Sequence, residues 1–210
     1  MKVLKFGGSS LSTPVTVREV GRILLDARRR EPVIGVVSAF QGVTNQLLDC
    51  ARLAERADGS FVNAFEQIAR RHRSAASQLV GSGKARGRYS TQRSARVRAR
   101  VDALLEELRS TLQGIHLLRH CPSRALDMTA SFGERLSAYI VAAHLDRTHA
   151  AAFVDARDLI VTDDQFTHAN VQFPATNRRT RAYFSRLLRR QTRILPIVTG
   201  FIGATADGQT

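Results

Sequence analysis

The sequence predicts a layered α/β protein that opens strand, helix, strand, helix, and three observations carry that reading. Val3, Leu4 and Phe6 form the end of a short buried strand that runs into Gly7-Gly8, where a parallel sheet would turn towards a helix. Val33 to Val37 is a second short, β-branched, apolar run with the character of an interior parallel strand. Between them Val17, Val20, Ile23, Leu24 and Ala27 recur at helical spacing, so a helix joins the two strands.

Each element follows from its residues. Thr13 and Pro14 supply an N-cap and a first helical position, and Glu31-Pro32 ends the run after the Arg28 to Arg30 cluster. Ser38 to Gly42 is the polar loop beyond the second strand, and Val43 to Ala57 is the next helix. Ligands of such folds bind at the carboxyl ends of the strands, so Lys5 to Ser10 and Ser38 to Asn45 are expected along one edge. Phe61 to Leu79 and Gln92 to Leu118 are expected to pair as antiparallel helices over one side of the sheet, with Gly81 to Ser90 a surface linker. Gly81-Ser82-Gly83-Lys84 is not a phosphate loop, because a helix precedes it and Ala85 stands where a metal-binding hydroxyl is needed.

The remaining elements are read in the same way. Asp127 to His144 is amphipathic, with Met128, Phe132, Leu136 and Ile140 spaced for burial. Ala152 to Asp155 is a short strand, Leu159 to Val161 an apolar run before Asp163-Asp164, and Asn177 to Arg190 a helix turning Tyr183, Phe184, Leu187 and Leu188 inward. Ile194 to Thr199 is a strand whose Pro196 suits an edge or a strand beginning. Gly200 to Gly203 makes a loop after it, and Asp207-Gly208 is a turn signal without a returning strand.

Composition excludes several classes. A chain of 210 residues, 43% of them hydrophobic, can bury a full core. Cys50 and Cys121 form neither a disulfide framework nor a metal cluster, and the six histidines make no ligand constellation. No apolar run is long enough for a membrane span or a leader, which points to a cytoplasmic protein. The net charge of +14 raises nucleic acid as a partner, concentrated in the acid-free stretches Lys84 to Arg100 and Arg178 to Arg193. Neither stretch has a zinc-finger spacing or an aromatic platform, so solvated helix faces or a partner surface explain them better than specific nucleic-acid binding.

Two positions carry chemistry. Gly7 and Gly8 leave backbone N–H groups open to a phosphate, Ser9 and Ser10 add hydroxyls, and Lys5 adds a mobile charge suited to phosphoryl oxygens, unless it is simply solvated at the strand end. Glu134, inside SFGERLS, either pairs with an arginine such as Arg135 or Arg124 or receives a substrate ammonium.

Five stretches taken together then resemble the amino-acid kinase family, and within it the aspartate kinases: KFGGSS at Lys5 to Ser10, VVSAFQGVTN at Val36 to Asn45, SFGERLS at Ser131 to Ser137, DARDLIVTD at Asp155 to Asp163 and TGFIGATADGQT at Thr199 to Thr210. The resemblance implies an αβα sandwich around a mainly parallel sheet, the carbamate kinase-like fold. It implies transfer of the γ-phosphoryl group of ATP, bound with Mg2+, to the β-carboxylate of L-aspartate, the first step towards lysine, threonine and methionine. In that resemblance Lys5 neutralises the transferring phosphoryl group, and Gly7, Gly8 and Ser9 lie at the phosphates. Thr44 holds the aspartate, with Ser38 and Ala39 in the same loop, Glu134 receives its ammonium and Phe201 borders its pocket. No metal-ligating side chain is expected. Residues 1–210 correspond to the N-terminal, aspartate-binding part of the family's catalytic domain; the family's GRGGSD segment, ATP lobe and ACT domains would follow. A homo-oligomer is implied for the intact protein, and an inactive fragment or an amino-acid-binding module is the alternative for the chain alone.

Overall fold

The computed structural model describes residues 1–81, 88–190 and 193–210. The order of elements is β1 (Lys2–Phe6), α1 (Pro14–Arg28), β2 (Val33–Val37), α2 (Val43–Glu55), α3 (Phe61–Val80), α4 (Arg88–Leu118), α5 (Ser123–Leu145), β3 (Ala151–Val154), β4 (Val161–Thr162), α6 (Phe173–Arg190), β5 (Leu195–Thr199) and β6 (Ala204–Thr205). Short 3-10 turns follow β1 and β3, at Gly8–Leu11 and Ala156–Asp158.

Four strands form one parallel sheet in the order β1-β2-β5-β3. Lys5 is registered with Val36 and Phe6 with Val37, and Val36 and Val37 are in turn registered with Val198 and Thr199. Because all four strands run the same way, their carboxyl ends share one edge, where β4 and β6 add a two-stranded parallel ladder. The period of two along a strand divides the side chains between the faces. Val33, Val37, Leu195 and Ile197 enter the main core on one side, while Ile34, Val154 and Val198 pack with Phe184 of α6 on the other. Helices on both faces of a mainly parallel sheet are the αβα arrangement expected from the resemblance.

Local chemistry explains the boundaries. Thr13 Oγ1 accepts from the Thr16 amide at 3.2 Å, and the Thr13 amide donates back to Thr16 Oγ1 at 3.1 Å, so the first helix begins where a reciprocal cap forms. Gly42 turns the chain into α2 with φ of 79°, a conformation that costs a residue without Cβ little. Phe132, Leu136 and Ile140 of α5 are fully buried, each contributing on the order of 1.5–3 kcal/mol by leaving water.

The structure corrects several expectations. The main helical cover of β3 and β5 is α5, which shares β2 with α1, while α3 and α4 pack on α5 and α2, so they form an outer layer over α5 and α2. Ile23 is 40% exposed and Met128 only half-buried, because each sits at the margin of its helix's apolar stripe. Residues 88–90 are helical, so α4 starts earlier than the linker reading allowed; positions 82–87 of that linker lie outside the described residues. Pro196 is the second residue of β5, at the strand beginning as one of its two readings has it, but the strand is interior, between β2 and β3, and not an edge. It is tolerated there because pairing with β2 begins only at Ile197, and the amide that proline lacks belongs to the unpaired position just before it.

Candidate functional site

The carboxyl edge of the sheet gathers four chain segments. The Ser38 amide donates to the Phe6 carbonyl at 3.1 Å and the Gly200 amide to the Val37 carbonyl at 2.8 Å, which ties the ends of β1, β2 and β5 together. Thr199 Oγ1 accepts from the Ala156 amide at 2.8 Å and adds the end of β3. Beside this edge lies a cavity of about 610 Å³, lined by Val36, Thr44, Glu134, Thr199 and Phe201 among others, a size within the roughly 300–1,000 Å³ of small-ligand sites.

Glu134 dominates the electrostatics. It is 5% exposed, and its Oε1 accepts from the Ala39 amide at 3.2 Å. Burial pushes its carboxyl up to about 7, and the Ala39 hydrogen bond offsets part of that rise. The neighbouring arginine is not its partner. Arg135 Nη1 and Nη2 hold Glu107 at 3.0 and 2.8 Å, its guanidinium stacks 4.5 Å from the Phe132 ring centroid, and Asp155 lies 3.8 Å from Nε. Among the described residues Glu134 has no ion pair, so a buried carboxylate opens into the cavity with only one amide from the loop beside it.

The helix that presents Glu134 can approach the loop because of the residue before it. A Cβ on Gly133 would stand 2.8 Å from the Ala39 Cβ and 3.3 Å from Leu47 Cδ1. Only glycine leaves room for α5 to seat against Ala39 and α2. Ser137, one turn further on, donates from Oγ to the Ser38 carbonyl at 2.6 Å and fixes the other side of the same contact.

Thr44, Glu134 and Phe201 thus meet in one cavity, as the resemblance implies. Ser38 and Ala39 are buried and do not line it; Ala39 contributes through its amide. Lys5, Gly7, Gly8 and Ser9 also lie outside the lining; of these Lys5 reaches it, its Nζ standing 4.7 Å from the Phe201 ring centroid, over an aromatic face that attracts cations. Phe201 itself is 81% exposed with φ of 54°.

The cavity has walls that sequence reasoning missed. Phe166, Thr167, His168 and Val171 line it from a loop that Asp163 closes, accepting from the Asn170 amide at 2.9 Å and its Nδ2 at 2.8 Å. Asp127 of α5 anchors that loop by accepting from the Thr167 amide at 2.6 Å. Thr167 has φ of 70°, a strained choice for a β-branched residue, and such outliers gather at ligand sites. The Asp163-Asp164 pair was the one visible signal; nothing in the sequence linked it to Asp127. Among the described residues no group of three or more His, Cys, Asp or Glu side chains is placed to hold a metal ion, and no helix is long and apolar enough to cross a membrane.

A parallel sheet whose carboxyl edge carries a glycine turn and a small cavity with a buried acid is the arrangement of α/β proteins in which the strand ends are the ligand edge. The chain belongs to the Amino acid kinase family, whose model matches residues 1–210. Among its relatives, aspartokinase 3, chloroplastic, of Arabidopsis thaliana is 30% identical over 207 residues, covering 96% of this chain and 34% of that protein. The bifunctional aspartokinase/homoserine dehydrogenase 2, chloroplastic, of Zea mays is 28% identical over 207 residues, covering 97% of this chain and 21% of that protein. Among solved structures, E. coli aspartokinase III in complex with lysine and aspartate superposes with a TM-score of 0.79 at 25% identity, over 100% of this chain and 42% of that one. The same enzyme in complex with aspartate and ADP gives 0.78 at 25% identity. The chain therefore spans about a third of the length of the plant aspartokinases it matches.

Proposed function

We propose that the protein carrying this chain is an aspartate kinase, which transfers the γ-phosphoryl group of MgATP to the β-carboxylate of L-aspartate and releases 4-phospho-L-aspartate and ADP. The observation that carries this reading is Glu134, a buried carboxylate with no cationic partner among the described residues that opens into the cavity holding Thr44 and Phe201. An amino-acid ammonium supplies the charge this site lacks, and a charge-assisted hydrogen bond in a buried setting is among the stronger contacts available. Support comes also from E. coli aspartokinase III, whose structures of the same fold are complexes with aspartate and, in one case, ADP.

In this reading the Thr44 hydroxyl holds the aspartate backbone, the Ser38–Ala39 loop orients Glu134 through the Ala39 amide, and Phe201 closes one side of the pocket. Gly7, Gly8 and Ser9 take the phosphates, and Lys5, registered beside Val36 of the cavity wall, stabilises charge on the phosphoryl group in flight. The substrate's β-carboxylate oxygen attacks the γ-phosphorus and the bond to the ADP oxygen breaks, so no side-chain nucleophile is needed. Mg2+ bound with the nucleotide would supply neutralising charge at its phosphates, beside that of Lys5. The reading extends to a homo-oligomeric, cytoplasmic protein, which light scattering and cell fractionation test.

The central test is ATP-dependent formation of aspartyl hydroxamate when L-aspartate and hydroxylamine are supplied to the protein at its natural length. Aspartate-dependent product supports the assignment. Equal turnover of glutamate or N-acetylglutamate overturns it.

A further inference from the structure

We propose that Arg71 is a positioning residue that holds the glycine loop and the Ser38–Gly42 loop in one fixed relation; the proposal rests on the kinase reading above. Arg71 lies on α3, outside the cavity, and is half-buried. Its Nη1 donates to the Gln41 carbonyl at 2.7 Å and its Nη2 to the Ser12 carbonyl at 3.4 Å. Gln41 belongs to the loop whose Ala39 amide meets Glu134, and Ser12 caps the 3-10 turn that begins at Gly8. One planar guanidinium therefore spans the segment assigned to the phosphates and the segment assigned to the aspartate. A lysine ammonium, as a point charge on a flexible stem, has no such fork.

Two neighbouring contacts show that the brace acts on loops that already touch. A Cβ on Gly8 would stand 3.4 Å from both the Ala39 carbonyl oxygen and the Gln41 Cα, so the glycine turn rests directly on the second loop. His72, the residue after Arg71, stacks on Phe40 with ring centroids 5.3 Å apart and an interplanar angle of 18°. Its Nδ1 lies 2.7 Å from the Ile68 carbonyl, and burial holds its pKa down at about 4, so a neutral, oriented ring supports the loop from below. Consecutive residues of α3 thus fix the loop at Gln41 and at Phe40. Phosphoryl transfer depends on the in-line distance between the phosphoryl group and the attacking carboxylate, and that distance is set by the relation of these two loops.

The test compares the parent protein with Arg71→Ala and Arg71→Lys at natural length, measuring hydroxamate kinetics, calorimetric aspartate binding, and amide hydrogen exchange. Arg71→Ala is expected to lower kcat by about ten-fold or more, as small misplacements do, while the aspartate Kd changes less than about three-fold because Glu134 and Thr44 remain. Exchange should accelerate at residues 8–12 and 38–42 and stay unchanged in the cores of α1 and α5. Arg71→Lys, reaching only the Gln41 carbonyl, should recover part of kcat. A kcat within about two-fold of the parent, or exchange that accelerates throughout the chain, overturns the proposal. If the parent itself turns over no aspartate, the kinase reading fails separately, and exchange at the two loops still decides whether Arg71 braces them: unchanged rates there overturn the brace.

Discussion

The Ala39 amide donates to Glu134 Oε1 across 95 positions of sequence, at 3.2 Å, and this bond joins the loop after β2 to the middle of α5. It orients a carboxylate that burial otherwise penalises. The chemistry assigned to the site turns on that carboxylate meeting a cation.

Replacing Glu134 tests this directly. Glu134→Gln keeps the shape and an acceptor for Ala39 but removes the charge, so the aspartate KM should rise by roughly 10–100-fold, the scale of a charge-assisted hydrogen bond of about 1.5–3 kcal/mol. Thermal stability should hold or increase, since an uncompensated buried charge is removed. Unchanged aspartate affinity with lost folding would make Glu134 a structural acid only.

The raised pKa of Glu134 gives a pH signature with a definite sign. Its folded value of about 7 lies above the ordinary glutamate range, so the folded protein holds a proton that the unfolded chain has released. The associated stability is fully present below the unfolded value and is lost as pH rises to about 7. Urea melts of the parent should therefore show stability falling across that window, and Glu134→Gln should flatten the slope. Aspartate binding should strengthen as pH rises through about 7 and release a proton, which calorimetry in buffers of different ionisation enthalpy measures. Pairing with the ammonium requires the ionised form.

Gly133 offers a packing test. A methyl at this position meets Ala39 Cβ at 2.8 Å, closer than two carbons tolerate, so Gly133→Ala must push α5 away from the loop. Destabilisation of about 1–3 kcal/mol is expected from such overpacking, together with a weakened aspartate KM as the Ala39 contact opens. Denaturant melts and steady-state kinetics check the two effects; wild-type values in both would mean the loop yields without cost.

Lys5 is exposed, with its ammonium over the Phe201 ring, so its loss should spare the fold. Lys5→Met is expected to lower kcat by at least about 100-fold, a loss on the scale of removing one donor to a developing charge. The melting temperature should move little. Turnover within about two-fold of the parent would remove Lys5 from the transfer step.

Much of this molecule is legible in its sequence because local periodicity and turn chemistry act over a few residues. The Thr13-Pro14 start of α1, the limits of β2 and the glycine turns at Gly7-Gly8 and Gly42 all appear where their residue types require them. Of the residues that line the cavity, Thr44, Glu134 and Phe201 stand in the five ordered motifs, whereas Phe166, Thr167 and His168 stand in none. Spacing could not choose between the two roles of Glu134, since Arg135 is adjacent in sequence yet turns to Glu107 and Asp155. That choice belongs to the fold, because helix rotation sends consecutive side chains to different faces. The interior place of Pro196, the outer layer formed by α3 and α4, and the bond from Asp127 to Thr167 are likewise long-range outcomes. Local sequence determines which segments become strands, helices and turns; only the packing of those segments decides which buried acid is left without a cation and what wall closes around it.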